Sequence, residues 1–499
     1  MKQSLNTYLT DIWSINLETD VLFSRFVQDS RVANKGDVFL ALKGSSEQHG
    51  SMFIESAIQR GVSAVLVSGD EHQHGFVSFW PTTRIPIVTI KSLEDYIGAL
   101  ANQYYHHPSA SQPVVAVTGT NGKTSVCYMM CLLLNALGQK GGLIGTLGRG
   151  IPPKTLHQPF GLTTPSAIDV HESIHALKDK CALIAMEASS HALDQGRLNG
   201  VTIKGAVFTN LSHDHLDYHQ NMANYLQAKL TLFRHEHLDF IVVNMDDDHA
   251  EDVIHATSPQ VKIIGISMKS QPKHPRLTGY IWGQGQGNQC HVTSSWGAHT
   301  LTCLLIGEHN QLNLLSAIAC LIQEGYEAQA LFQASQKVDV VPGRMQCIQY
   351  NDAPLVVVDY AHTPDALSRV LQALKRETKG KLWVVFGCGG QRDVDKRHQM
   401  GRVAEQVADH VILTNDNPRY ESPTKIIDQI LSGMVCAWAV IIEPDRANAI
   451  AEALRQAKSG DTVLIAGKGH ENIQEIRGSH HYFSDLEQAE RFLALKVGS

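Results

Sequence analysis

Residues 114–125 read Val-Val-Ala-Val-Thr-Gly-Thr-Asn-Gly-Lys-Thr-Ser. A β-branched apolar run breaks at two glycines, and a helical pattern follows from Thr124 to Leu137. The run suits a buried strand. A loop between such a strand and helix aims backbone N–H groups and a helix N-terminus at anionic oxygens. Gly119, Thr120, Asn121, Gly122, Lys123, Thr124 and Ser125 therefore read as a nucleotide-phosphate cradle. Lys123 would reach the β- and γ-phosphates, and the Thr124 hydroxyl is placed to ligate Mg²⁺. The loop is one residue shorter than the commonest P-loop spacing, so its strand-to-helix setting carries much of the reading.

Around this centre lie 499 residues. At roughly 150 residues per domain, that length suggests about three domains. Hydrophobic residues make up 43% and charged residues 18%, the balance of a globular protein with ample core. The net charge of -7 gives no basis for broad nucleic-acid or anionic-membrane binding. Nine scattered cysteines without a CxxC pair fit reduced thiols better than a disulfide framework or a zinc site. No signal peptide or membrane span is expected, because no apolar stretch reaches ~18 residues. A cytoplasmic protein, monomeric and not inserted in a membrane, is the expectation.

The N-terminal part, about 1–108, holds an apolar strand ending near Leu42, a helix over 53–60 and a second strand at 64–67, which make a small α/β unit. Ser30 and the Ser45-Ser46 loop stand as polar ligand candidates there, although they read more simply as turn residues. The His-, Ser- and Pro-rich stretch 104–113 reads as a linker to a central part, about 109–341.

In that central part, the strand at 182–186 delivers Glu187 at its C-terminal end, where ligands gather in open parallel sheets. A second strand, 205–209, leads into Asn210-Leu-Ser-His-Asp-His-Leu-Asp217, dense in groups for phosphate or metal chemistry. A polar loop with a helix N-cap at Ser212 or Asp214 is the alternative. Oxygen ligands suit Mg²⁺, which makes Glu187 a natural ligand. Lys229 lies in a helix over 225–233, and spacing alone makes it a snorkelling surface lysine.

Taken jointly, Gly119-Thr-Asn-Gly-Lys-Thr124, Glu187-Ala-Ser-Ser-His191, Asn210 to Asp217 and Tyr225-Leu-Gln-Ala-Lys229 resemble the Mur ligases. So do Gly307-Glu-His-Asn-Gln-Leu-Asn313, Pro342-Gly-Arg-Met345, Asp359-Tyr-Ala-His-Thr-Pro364, Phe386 to Gly390, Asp416-Asn-Pro-Arg419 and Gly467-Lys-Gly-His-Glu471. These motifs span the whole chain. The resemblance implies a three-domain α/β architecture: a UDP-binding N-terminal domain, a central P-loop ATPase-like domain and a C-terminal Rossmann-like domain at about 342–499 that brings an amino acid.

It further implies ATP-dependent ligation of meso-diaminopimelate to the D-Glu γ-carboxylate of UDP-N-acetylmuramoyl-L-Ala-D-Glu, a step of peptidoglycan precursor synthesis. Ser30, Ser45, Thr163, Thr164, Ser189, Gln195 and Arg197 then match positions that hold the UDP-sugar-dipeptide. Asn310, Arg344, Asp359 and His362 match positions around the nucleotide. Lys229 matches a lysine that becomes carbamylated, an anionic ligand for a second Mg²⁺ with His215. The metal set is thus Thr124, Glu187, His215 and Lys229, and the catalytic set Lys123, Glu187, His215 and Lys229. His213, Pro165 and Ser125 depart from the family pattern without removing a phosphate or metal ligand.

In the C-terminal part, apolar runs at 355–359, 382–386, 411–414, 439–442 and 462–466 alternate with helical patterns, which argues for a parallel sheet with helices on both faces. Arg392, Asp416, Asn417, Pro418, Arg419, Gly467 and Glu471 match the family's amino-acid site. The physical sense is that diaminopimelate carries a distal carboxylate, which an arginine can grip through paired hydrogen bonds, while Asp416 and Glu471 complement ammonium groups. Two alternatives remain open at this stage. One is another ligase of the superfamily, lysine-adding or folylpolyglutamate-forming; the other is a P-loop switch that hydrolyses ATP to move a partner.

Overall fold

The computed structural model describes residues 2–44, 49–157, 161–285, 289–303 and 305–497. The chain forms two compact units. One comprises residues 1–113 together with 164–180 and 191–202; the other holds 114–163, 181–190 and 203–499.

In the first unit, strands run in the order Phe26–Val27, Val38–Ala41, Ala64–Gly69, Pro86–Lys91 and Val77–Phe79. Only the Val77–Phe79 edge is antiparallel. One face buries Leu5, Phe23, Leu40, Leu66, Ile90 and Leu100. Helix Ala167–Leu177 packs on helix Leu93–Tyr104, so the returning segments add a layer to the N-terminal sheet. Gly98 permits the approach of 191–202, since a Cβ there would lie 2.1 Å from the Asn199 carbonyl oxygen. The expected linker is anchored rather than loose: Ser109 is buried, and its hydroxyl accepts from the Thr202 N–H at 2.9 Å.

The second unit carries two large sheets. In the eleven-stranded one, Val114–Thr118 lies between Leu183–Glu187 and Gly205–Phe208, parallel to both. Phe240–Asn244, Lys262–Ser267 and Gly279–Gln284 continue the parallel run, and Gln289–Ser294 and Gly297–Thr302 close it as an antiparallel meander. Helices Lys123–Ala136 and Glu308–Gln323 pack together over this sheet. Most of their residues are buried, so an apolar stripe alone would not describe them.

The six-stranded sheet runs Gln346–Ile348, Leu355–Asp359, Thr462–Ala466, Leu382–Phe386, His410–Leu413 and Ile441–Ile442, parallel except for Gln346–Ile348. Its last strand is shorter than the expected 439–442. Ala437–Ala439 closes a 3₁₀ turn instead, and the Val440 N–H donates back to the Ala437 carbonyl. In the same way the helix expected over 225–233 is Met222–Leu230, begun by Asn221 as N-cap and followed by a 3₁₀ turn, Thr231–Arg234. In both sheets the strand ends that carry polar motifs are the carboxyl ends, where a parallel sheet leaves its crevice.

Candidate active site

The phosphate loop is shaped by two left-handed glycines. Gly119 has φ 146° and Gly122 φ 90°. A Cβ on Gly119 would sit 1.9 Å from Thr209 Oγ1, and one on Gly122 would sit 2.6 Å from Asn313 Oδ1. Only glycine suits either position. Thr209 and Asn210 brace the loop from the next strand: Thr209 Oγ1 donates to the Asn121 carbonyl at 2.6 Å, and Asn210 Oδ1 accepts from the Asn121 N–H at 2.9 Å.

Two lysines converge on one carbonyl. Lys123 Nζ donates to Gly119 O at 2.9 Å and to Thr120 O at 2.9 Å, while Lys229 Nζ donates to Gly119 O at 2.8 Å. Burial lowers the pKa of Lys123 and of Lys229, with Lys123 adding like-charge repulsion at Lys229. Lys229 is 1% exposed, not the surface residue that spacing suggests. Its Nζ lies 4.3 Å from the centre of the Tyr225 ring, and His215 meets that ring edge-on at 6.2 Å. Tyr225 thus neighbours both residues expected at a second cation.

Thr124 and Glu187 form the hard-oxygen pair. Thr124 Oγ1 donates to Glu187 Oε2 at 2.9 Å, and the Thr146 N–H donates to Glu187 Oε1 at 2.8 Å. Burial raises the Glu187 pKa, while Lys123 opposes that shift. Such donors beside a phosphate loop suit Mg²⁺, so Thr124 and Glu187 fit the group their chemistry implies. Among the described residues, no three His, Cys, Asp or Glu side chains gather as a metal-holding group.

Asp214, which the sequence reading offers only as a helix N-cap, is instead a buried charge of this loop. It is 3% exposed and faces Lys396 Nζ at 3.5 Å, His215 Nε2 at 3.4 Å and His362 Nε2 at 3.8 Å. Burial disfavours its charge, but Lys396 and then the two histidines prevail and hold the carboxyl well below the usual range. Neither Asp214 nor Ser212 caps the following helix; His215, at φ 56°, precedes Leu216–His219 with no side-chain cap. His213 pairs with Asp393 at 3.0 Å. These contacts join the 210–217 loop to the C-terminal sheet's loops.

A cleft of about 670 Å³, counting its open mouth, lies beside the loop, lined by Asn121, Ser125, Asn310, Arg344 and Asp359 among others. Of the expected nucleotide positions, Asn310, Arg344 and Asp359 line this cleft and His362 does not; Asn244 and Arg369, which lie outside every quoted motif, join them. Asp359 accepts from the N–H groups of Met345 and Ala361, both at 2.7 Å. His362 is held by the Tyr360 carbonyl at 2.8 Å, and burial brings its pKa down to about 4.

At the amino-acid end, Asn417 Nδ2 donates to Glu471 Oε2 at 3.1 Å. Burial and the neighbouring Asp416 raise the Glu471 pKa. A Cβ on Gly467 would sit 2.7 Å from Asp416 Oδ2, so Gly467 allows the two loops to touch. Arg419, at φ 52°, gives Nε to Glu475 at 3.0 Å and Nη1 to Gly390 O at 2.7 Å. Arg392 lies across the same turn: a Cβ on Gly389 would be 3.2 Å from Arg419 Nη1 and 3.7 Å from Arg392 Cγ. Pro418 is buried, its carbonyl against Gly390.

Arg344 links the two ends. Its Nη2 donates to Thr124 Oγ1 at 3.2 Å, its guanidinium lies 4.3 Å over the Tyr360 ring, and the Tyr360 hydroxyl donates to Glu471 Oε1 at 3.4 Å. The phosphate loop and the loops expected to hold the amino acid are thus three contacts apart.

The residues expected around the UDP-sugar-dipeptide divide between the units. Thr164, Gln195 and Arg197 cluster in the first, where Arg197 Nη1 donates to Thr164 O at 2.8 Å and Nη2 to Gln195 Oε1 at 2.6 Å. Ser30 lies in the same unit, buried in a 3₁₀ turn capped by Asp29. Thr163 and Ser189 belong to the second unit. Ser45 lies outside the described residues.

Residues 117–321 match the Mur ligase middle domain, and 343–469 match the Mur ligase glutamate ligase domain. A UDP-N-acetylmuramoyl-L-alanyl-D-glutamate–2,6-diaminopimelate ligase of Coxiella burnetii is 40% identical over 491 residues, 97% of this chain and 98% of its own. The chain belongs to the Mur ligase family. The ligase of the same name from Pseudomonas putida is 40% identical over 483 residues, 95% of this Mur ligase and 96% of its own length. A solved structure of a ligase of that name superposes with a TM-score of 0.68 at 34% identity, covering both chains fully. A Mur ligase of Thermotoga maritima, MurF, solved in complex with ADP, shares the fold at 19% identity and TM-score 0.62, over 95% of this chain and 98% of its own.

Proposed function

We propose that this Mur ligase joins meso-diaminopimelate to the D-Glu γ-carboxylate of UDP-N-acetylmuramoyl-L-Ala-D-Glu at the expense of ATP. The observation that carries this reading is the short path Thr124–Arg344–Tyr360–Glu471. A ligase must bring the γ-phosphate, the acyl carbon and the incoming amine together, whereas an ATP-driven switch has no use for an amino-acid pocket at that distance. The names of the relatives point to the same substrates.

A carboxylate is a poor acyl donor. In the first step the γ-carboxylate attacks the γ-phosphate, giving an acyl phosphate and ADP; in the second the amine attacks the carbonyl and phosphate leaves. Lys123 leaves the loop carbonyls for the transferring phosphoryl oxygens, and Arg344, bonded to Thr124 Oγ1, adds a second cation beside them. Thr124 and Glu187 would hold Mg²⁺, with Lys229 and His215 holding a second; bound there, the ions neutralise charge on the phosphates. Lys229 is buried and driven toward its neutral form, the form that adds CO₂ to give a carbamate and a proton. Asp416 and Glu471 receive the distal ammonium group of diaminopimelate, and Arg419 with Arg392 the carboxylate beside it. The UDP-sugar-dipeptide is assigned to Ser30, Ser45, Thr163, Thr164, Ser189, Gln195 and Arg197, in a three-domain division at about 108 and 341. The substrates place the work in the cytoplasm, and no described helix is long and apolar enough to cross a membrane.

The test is phosphate release from ATP and Mg²⁺ with the UDP-muramoyl dipeptide, run in parallel with meso-diaminopimelate and L-lysine. Turnover that needs the dipeptide and diaminopimelate is the expected result. Equal turnover with lysine would refute the carboxylate grip, and release needing neither acceptor would refute the ligase.

A further inference from the structure

Lys468 is a fully buried cation whose three donors are all used. Its Nζ donates to Asn417 Oδ1 at 3.1 Å, to Glu471 Oε2 at 3.1 Å and to the Ile473 carbonyl at 2.7 Å. These acceptors lie on three different segments: the 416–419 loop, the 467–471 turn and the start of the hairpin Ile473–Ile476 and Ser479–Tyr482. An ammonium group can only donate, so it fixes which end of the Asn417 amide faces it. With Oδ1 toward Lys468, Nδ2 is turned to Glu471 and completes a triangle.

The same Asn417 Oδ1 accepts the Glu475 N–H at 3.1 Å, which sets the strand whose Glu475 carboxylate holds Arg419 Nε. Backbone bonds seal this arrangement, from Arg419 N–H to Glu475 O at 3.1 Å and from Arg477 N–H to Arg419 O at 2.8 Å. One buried charge thus sets Glu471 for the substrate's ammonium group and, through Asn417 and Glu475, Arg419 for its carboxylate.

We propose that Lys468 is the positioning residue of the amino-acid site, holding Asn417, Glu471 and Arg419 in the geometry that accepts a substrate with an ammonium and a carboxylate at one end. This rests on the proposed function for the identity of that substrate. A lysine holding loops together for stability alone would affect every substrate alike. A positioning lysine acts on the amino acid and leaves ATP binding untouched, because none of its partners lines the nucleotide cleft.

The experiment compares the full-length wild type with Lys468→Met and Lys468→Arg, measuring KM for meso-diaminopimelate, ATP and the UDP-muramoyl dipeptide, with Tm as a check on folding. Loss of oriented polar partners in a binding site predicts a rise of about tenfold or more in KM for diaminopimelate in Lys468→Met. KM for ATP should stay within about twofold, and Lys468→Arg should recover part of the loss because the positive donor is kept. The proposal is overturned if all three KM values move together, if none moves, or if both variants lose the fold. Failure of the functional reading shows up separately, as a wild type that does not use diaminopimelate; the same comparison is then made with the amino acid it does use.

Discussion

Lys123 and Lys229 share the Gly119 carbonyl, and only one of them belongs to the loop that sequence makes conspicuous. The glycines, Lys123 and Thr124 could be read because a phosphate loop is local: strand, turn and helix start lie within twelve residues. Lys229 could not be read from its helix. Its partner is 110 positions away, and helical spacing does not record what lies opposite a side chain. Asp214, Lys396 and Lys468 escaped for the same reason, since each gains its meaning from a distant loop. At this scale Lys123→Ala is expected to lower kcat by about 10²–10³, the cost of removing one preorganised donor to developing charge. The fold should be spared, because Lys123 bonds only to loop carbonyls; steady-state kinetics with a thermal melt checks both, and unchanged ATP-dependent turnover would refute the role.

Elements were legible where apolar runs are short and bounded. Strands Leu355–Asp359, Leu382–Phe386 and Thr462–Ala466 fall where the sequence expects them, because parallel strands buried on both faces read as continuous apolar runs. The hairpin Ile473–Ile476 with Ser479–Tyr482 gave no such signal, being largely exposed and polar. The ties between elements were not legible at all. Arg446 and Asp485 are fully buried, 2.7 Å apart, and join helix Arg446–Gln456 to helix Asp485–Val497. Arg446 also donates to the Ala466 carbonyl at 2.9 Å and to Asn415 O at 3.3 Å, the residues just before Gly467 and Asp416. Arg446→Met leaves Asp485 as an uncompensated buried charge, so a loss of about 3–5 kcal/mol is expected. Denaturant unfolding measures it, and a loss below about 1 kcal/mol, the range of an exposed pair, would contradict the tie.

For the whole molecule, three sheets follow from the alternation of strands and helices, but the return of 164–180 and 191–202 to the N-terminal unit does not, because boundaries drawn along a sequence take each domain as one stretch. His171 stitches those two returning segments together. Its Nε2 lies 3.0 Å from the Asn199 carbonyl, and its buried Nδ1 has no partner. Protonation would bury a charge whose Nδ1–H has no acceptor, and burial brings the pKa down from 6.5 to about 4 against the Asn199 bond. Below pH 6.5 the unfolded chain takes up a proton that the folded chain refuses until about pH 4. Stability from this group is therefore full above 6.5 and is lost as pH falls, by about 1.4 kcal/mol per pH unit across that window. Unfolding curves of wild type and His171→Gln between pH 7.5 and 4.5 should converge by about 2 kcal/mol as the pH drops. Parallel curves would mean that His171 titrates normally.

The most direct measurement uses UDP-muramoyl dipeptide labelled with ¹⁸O in the D-Glu γ-carboxylate, and follows the label by mass spectrometry of the released phosphate. Ligation through an acyl phosphate predicts one ¹⁸O per phosphate, formed together with the diaminopimelate-bearing product. Unlabelled phosphate released alongside intact dipeptide would mean ATP hydrolysis by water, and would contradict the ligase account.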